Sequence, residues 1–208
     1  MIIIEGPDNA GKSRLAEKLC KELEIPVIHS VRPGKDWTAD DTLYHSTKQL
    51  RPTPAILDRV YAVSEYVYGR IIRGKTALEH RHSEALLDFY YRPYLIIYCR
   101  PDMDTILANG ERDQMEGVID NHRAIVEEYD LVFEEISRFT TGTVLKYNWK
   151  ADNLDNLIGK CRKYLTEFNS RHVSSEYMTR FRDKQLQENQ AQLSKVDNWN
   201  DSKLKGAK

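Results

Sequence analysis

The sequence predicts an α/β fold of three layers, with a parallel sheet of about five strands covered by helices on both faces. Three observations carry this expectation. Short apolar runs alternate with segments of helical periodicity over residues 1–168. Those runs are apolar almost throughout, as strands buried on both faces are. The first of them, Ile2–Glu5, stops at Gly6 and leads through a glycine-bearing loop straight into a helical pattern.

Each element has its own signal. Lys12–Leu23 carries Leu15, Leu19, Cys20 and Leu23 at helical spacing. Residues 26–29 read as a second strand. Residues 31–53 hold Pro33, Gly34 and Pro52 among polar residues, so they read mainly as loop with a short helix near Thr42–Gln49. Residues 55–57 form a third strand that ends at Asp58, and helices follow over 62–72 and 77–91 around a break at Gly74. Residues 94–99 are the clearest buried strand. A short helix over 103–108 ends at Asn109-Gly110, and a longer one covers 118–136. Thr143–Tyr147 is the last strand, and 154–168 closes the domain with Leu154, Leu157, Ile158, Cys161 and Leu165 on one face. Residues 169–208 turn polar and offer little to bury, so they read as a C-terminal appendage, helical in part and frayed toward the end.

Composition narrows the function. Thirty-one basic residues against 32 acidic ones give a net charge of −1, which argues against a protein that grips long stretches of nucleic-acid backbone. Cys20, Cys99 and Cys161 fit neither a zinc site nor a C-x-x-C pair and read as reduced thiols. The first residues lack the basic and long apolar regions of a signal peptide, and no apolar run approaches the ~20 residues that span a bilayer. The expectation is a cytoplasmic protein with no membrane partner.

The chemistry lies in the first loop. Gly6-Pro7-Asp8-Asn9-Ala10-Gly11-Lys12-Ser13 matches G-x-x-x-x-G-K-[ST], between a strand and a helix as that motif requires. Glycines let the backbone turn its N–H groups onto a phosphate at the positive end of the helix. The motif therefore predicts that Gly6, Asn9, Ala10, Gly11, Lys12, Ser13 and Arg14 hold ATP. Lys12 reaches the β- and γ-phosphates, and Ser13 offers its hydroxyl to Mg²⁺. The third strand ends in Asp58-Arg59, at the edge where open α/β sheets bind ligands. Asp58 is placed to join Ser13 in holding Mg²⁺, and Arg59 to clamp a phosphate or neutralise transition-state charge. No N-K-x-D base-reading motif is present, so a switch GTPase is not expected. Tyr66 and Tyr68, in the helix after Asp58, are candidate platforms for an acceptor base, and Arg70 shares their region.

The segment Ile4-Glu5-Gly6-Pro7-Asp8-Asn9-Ala10-Gly11-Lys12-Ser13 resembles the opening of thymidylate kinase and its P-loop nucleotide-kinase relatives, bacteriophage forms included. The acid inside the loop, Asp8, is the telling position. Arg32-Pro33-Gly34, Asp58-Arg59 with Ser64 and Tyr68-Gly69, and the stretch Gly110–Glu116 resemble further family segments in the family's order. The resemblance covers about residues 1–168 and implies a P-loop NTPase-type fold. It implies that Asp8 approaches the sugar of a bound deoxynucleotide, that Arg32 contacts the acceptor phosphate, and that Arg112 anchors a lid and stabilises charge. Lys12, Asp58, Arg59, Asp8 and Arg112 are then the expected catalytic set. Asp8, Arg32, Arg59, Tyr66, Tyr68 and Arg70 are the expected acceptor set.

Arg14, Lys35 and Val60 depart from the family pattern, chiefly around the acceptor. The leading expectation is ATP-dependent phosphorylation of a deoxynucleoside monophosphate, with a homodimer compatible. A hydroxyl acceptor, on a nucleoside or on hydroxymethyluracil within DNA, is the alternative, and only there would DNA be a partner. A non-catalytic nucleotide-binding module is the third reading.

Overall fold

A computed structural model describes residues 1–30, 36–50, 53–108 and 116–172. Strands β1 (Ile2–Glu5), β2 (Val27–His29), β3 (Ile56–Asp58), β4 (Leu95–Cys99) and β5 (Thr143–Tyr147) form one sheet in the order β2-β3-β1-β4-β5. Every pairing is parallel, with Ile3 registered on Leu57 and on Ile96. Helices α1 (Lys12–Leu23), α2 (Ala39–Gln49), α3 (Tyr61–Arg73), α4 (His82–Tyr91), α5 (Met103–Ala108), α6 (His122–Phe139) and α7 (Leu154–His172) complete the order, with a 3₁₀ turn at Glu79–Arg81. The expected three-layer α/β fold is what the chain adopts.

Strand geometry divides the core. Successive side chains point to opposite faces of a sheet, so Ile3, Leu57 and Ile96 pack with Val63, Val67, Ile125 and Tyr129 of α3 and α6 on one face. Ile2, Ile4, Ile56 and Ile97 pack with Leu15 and Leu19 of α1 and Leu157 and Cys161 of α7 on the other. The all-apolar strand runs follow from this burial on both faces. Cys20, Cys99 and Cys161 are free thiols, as expected.

Three helix starts differ from expectation by three residues or more, each for a local reason. Helix α2 starts at Ala39, because Thr38 caps it: its hydroxyl accepts from the Asp41 N–H, while the Asp41 carboxylate accepts from the Thr38 N–H. The helix expected over 77–91 begins at His82, after a left-handed turn at Glu79 (φ 48°). The helix expected from residue 118 starts at His122, because Gly117 at φ 82° and an Asn121 side chain bonded to its carbonyl form a turn first. Helix α7 continues through His172, past the expected domain end at 168, and residues 173–208 lie outside the described residues. No described helix is long and apolar enough to cross a membrane.

Candidate active site

The loop after β1 lies at the carboxyl edge of the sheet, on its central strand. Its backbone is unusual: Gly6, Asn9 and Gly11 have φ of 147°, 64° and 84°. A Cβ on Gly6 would lie 2.4 Å from the Cys99 carbonyl oxygen of β4, so only glycine permits this approach. Helix α1 begins at Lys12 with no side-chain cap and no acid in its first turn. Its first N–H groups are therefore open to an anion, in the field of the helix dipole. Lys12 is buried, and its Nζ donates to the Pro7 carbonyl at 2.6 Å. Burial, and next the nearby Arg59, lower its pKa from 10.5 to about 8. Asn9 Nδ2 is buried with no hydrogen-bond partner, an amide donor aimed at nothing in the protein itself. Arg14 is exposed on the first turn of α1.

On the β3 side, Asp58 is buried, and His29 Nδ1 lies 3.4 Å from its carboxylate. Ser13, on the first turn of α1, lies beside the same carboxylate. Burial opposes ionisation of Asp58, but His29, Lys12 and Ser13 outweigh it, and its pKa lies below the ordinary carboxylate value. The two residues expected to share a metal ion thus lie beside each other. Among the described residues no group of three or more His, Cys, Asp or Glu could cage a metal.

A second cluster sits at the middle of the loop. Arg59 Nη2 donates to Asp8 Oδ1 at 2.6 Å, and its guanidinium lies 5.6 Å from the centre of the Tyr68 ring. The Tyr68 hydroxyl accepts from the Asp8 N–H at 3.0 Å. Burial would raise the Asp8 pKa, yet Arg59 and Lys12 hold it below its usual value. Arg59 has φ 76°, a left-handed conformation costly for a residue with a side chain, and its N–H donates to the Ile4 carbonyl at 2.9 Å. That bond ties the β3 exit to β1 and turns the guanidinium toward Asp8.

Glu5 organises all of this and carried no role in the sequence reading. It is fully buried, and it accepts from Gly6 N at 3.1 Å, Val60 N at 2.6 Å and the Tyr129 hydroxyl at 3.3 Å. Its burial raises its pKa, against Arg59 and Lys12. The signal was a charged residue closing an otherwise apolar buried strand. Trp149 was also missed. It lies two residues past β5, at the same sheet edge, 41% exposed, and its ring would meet a Cβ on Gly11 at 3.1 Å. An Asn148–Asp152 turn holds it, with Asn148 N–H donating to Asp152 Oδ2 at 2.6 Å.

Not every expected residue converges here. Tyr66 and Arg70 lie about 200° around α3 from Tyr68. They contact each other and, respectively, His82 and Glu128, not the loop. Arg100 is engaged by Asp130, with Nη2 to Oδ2 at 2.9 Å. Arg32 and Arg112 lie outside the described residues.

No protein-family model matches the chain. The SPbeta prophage-derived uncharacterized protein YorR of Bacillus subtilis (strain 168) is 29% identical over 107 residues, which is 51% of this chain and 64% of that protein. This match therefore spans under two thirds of that relative. The structure of Bacillus subtilis YorR, solved in complex with phosphorylated GDP, superposes with a TM-score of 0.60 at 22% identity, over 83% of this chain and 99% of that one. Shikimate kinase from Acinetobacter baumannii, solved with shikimate, gives a TM-score of 0.50 at 14% identity, over 81% of this chain and 93% of that one. The chain shares the fold of these two proteins. At these identities the likeness shows the fold alone.

Proposed function

We propose that this protein transfers the γ-phosphate of ATP to the phosphate of a deoxynucleoside monophosphate. The observation that carries the reading is the division of the first loop. Two groups gather on it: Lys12 with the uncapped start of α1 and the Ser13–Asp58 pair, and the Asp8–Arg59–Tyr68 cluster.

On the donor side, loop N–H groups and Lys12 cradle the polyphosphate. Trp149, beside Gly11, offers a ring face to the donor base. The Ser13 hydroxyl and an ionised Asp58 fit Mg²⁺, which keeps most of its waters and takes few protein oxygens. Mg²⁺ held there would offset the charge of the phosphates. On the acceptor side, Asp8 receives a sugar hydroxyl and Arg59 turns from Asp8 to the acceptor phosphate. Arg32 and Arg112 are proposed to add positive charge from their own segments.

The carboxylates distinguish the acceptor. Asp8 and Asp58 are both held more acidic than usual, so each is a weak proton acceptor near neutrality. Glu5 has a raised pKa but is fully buried, its oxygens engaged by three elements. A hydroxyl acceptor needs a base to take its proton. A phosphate acceptor is already anionic and needs only cations to overcome repulsion and align the in-line attack.

The test is ADP release with Mg²⁺–ATP and a panel of deoxynucleoside monophosphates, nucleosides and hydroxymethyluracil-bearing DNA. Turnover with one or more monophosphates is expected. Turnover confined to nucleosides or DNA would replace this reading with a hydroxyl kinase. ATP binding without turnover on any acceptor would leave a binding module.

A further inference from the structure

The far flank of α3 carries a cleft of about 600 Å³ whose lining includes no residue of the first loop. That volume is in the range of small-molecule sites. Three aromatic rings line it. Tyr66 lies on His82 with centroids 4.0 Å apart and planes at 19°, and Trp37, itself stacked on His45 at 4.2 Å, lines the cleft from the start of α2. Arg70, Arg73 and Lys75 line it as well. Arg70 is anchored by Glu128 and Arg73 by Glu65, which fixes both guanidinium groups in place. Lys75 is exposed, and among the described residues it has no carboxylate partner.

His82 adds an unmet demand. Both its ring nitrogens are buried without a hydrogen-bond partner. A neutral imidazole has one donor and one acceptor, and leaving them unpaired is costly. Burial, with Arg70 next, lowers the His82 pKa to about 4, so the ring stays neutral at physiological pH. Aromatic rings and fixed cations together match a planar base that carries a phosphate.

We propose that this cleft is a second binding site, separate from the first loop, for one nucleotide unit: its base stacks between Trp37 and the Tyr66–His82 pair, and its phosphate meets Lys75 and Arg73. The unit is either a free mononucleotide or one residue of a single strand, and both present this chemistry.

Calorimetric titration of the full chain with dTMP and, separately, with octathymidylate tests it, comparing wild type with Tyr66→Leu and Lys75→Glu. Lys75 is exposed, so Lys75→Glu should fold even if Tyr66→Leu does not. Wild type is expected to take one dTMP equivalent more than the variants, or to bind it about tenfold more tightly. The same loss seen only with octathymidylate assigns the cleft to a base within a strand. Equal stoichiometry and affinity in all three proteins, for both probes, overturns the proposal. A parallel titration with a non-hydrolysable ATP analogue reports the first loop by itself. If the phosphotransfer reading fails, wild type still exceeds the variants by one equivalent, so the two ideas fail separately.

Discussion

At the scale of single residues, Lys12 bears the largest demand. It is a buried cation that meets a backbone carbonyl in the free protein and a polyphosphate in the proposed complex. Lys12→Ala should leave the fold intact and lower kcat by about 10²-fold or more, because the lysine offsets charge that grows in the transition state. Its depressed pKa of about 8, against an ordinary 10.5, has a sign that can be checked. In the free protein the charged lysine is held at a cost below about pH 8. That cost is relieved as pH rises toward 10.5, so its contribution makes stability rise across that window. Bound ATP reverses the preference. Calorimetry in buffers of different ionisation enthalpy should show proton uptake on ATP–Mg²⁺ binding at about pH 9 and little at about pH 7, with affinity falling as pH rises through 8. Absence of uptake would mean that Lys12 does not meet the phosphates. Arg59→Ala should weaken a monophosphate acceptor by about 1.5–3 kcal/mol, the range for a charge-assisted bond, and leave ATP–Mg²⁺ affinity nearly unchanged. Separate titrations of the two ligands distinguish these effects. The first loop with Asp58-Arg59 was legible from spacing alone. Glu5 was not, because a buried acid gains its meaning from Val60, Gly6 and Tyr129, which only the fold brings to it.

At the scale of elements, β1 and its loop depend on a backbone contact. Gly6→Ala would drive a Cβ to 2.4 Å from the Cys99 carbonyl at a φ of 147°. A loss of about 2–4 kcal/mol is expected, measured as a shift of the urea midpoint at constant m. Helix assignments show what periodicity reveals and what it hides. Helix α1 and strand β5 have the ends that the pattern predicts, since apolar spacing and flanking breakers agree there. The start of α2 was written in Thr38 and Asp41 as a capping box, a signal that hydropathy alone passes over. The left-handed turn at Glu79 carries no glycine or asparagine to announce it, so the break before α4 was not legible. Tyr66 and Tyr68 are two apart in sequence and so lie on opposite flanks of α3, and only Tyr68 reaches the loop.

At the scale of the whole molecule, the alternation of strands and helices was enough to predict a parallel sheet with two covered faces. The order β2-β3-β1-β4-β5 was not readable from it, because the strands are similar apolar runs and nothing local says which of them become neighbours. That order matters for function: it puts β1 in the centre, between β3 with Asp58 and β4 with Cys99 against Gly6. The last described side chains of α7 that are buried include Leu165 and Phe168. A chain ending after His172 should therefore melt within about 2 °C of the full chain and retain its kcat. A fall in kcat at unchanged melting temperature would show that residues 173–208 reach a site.

The central claim is that γ-phosphate leaves ATP at this loop and arrives on the phosphate of a deoxynucleotide. Following the label from γ-³²P-ATP tests it most directly, with wild type and Lys12→Ala side by side on each deoxynucleoside monophosphate. The account predicts label in a deoxynucleoside diphosphate with wild type and at least about 10²-fold less with the variant. Label that stays in ATP for every monophosphate, or appears on a nucleoside or DNA hydroxyl instead, would contradict it.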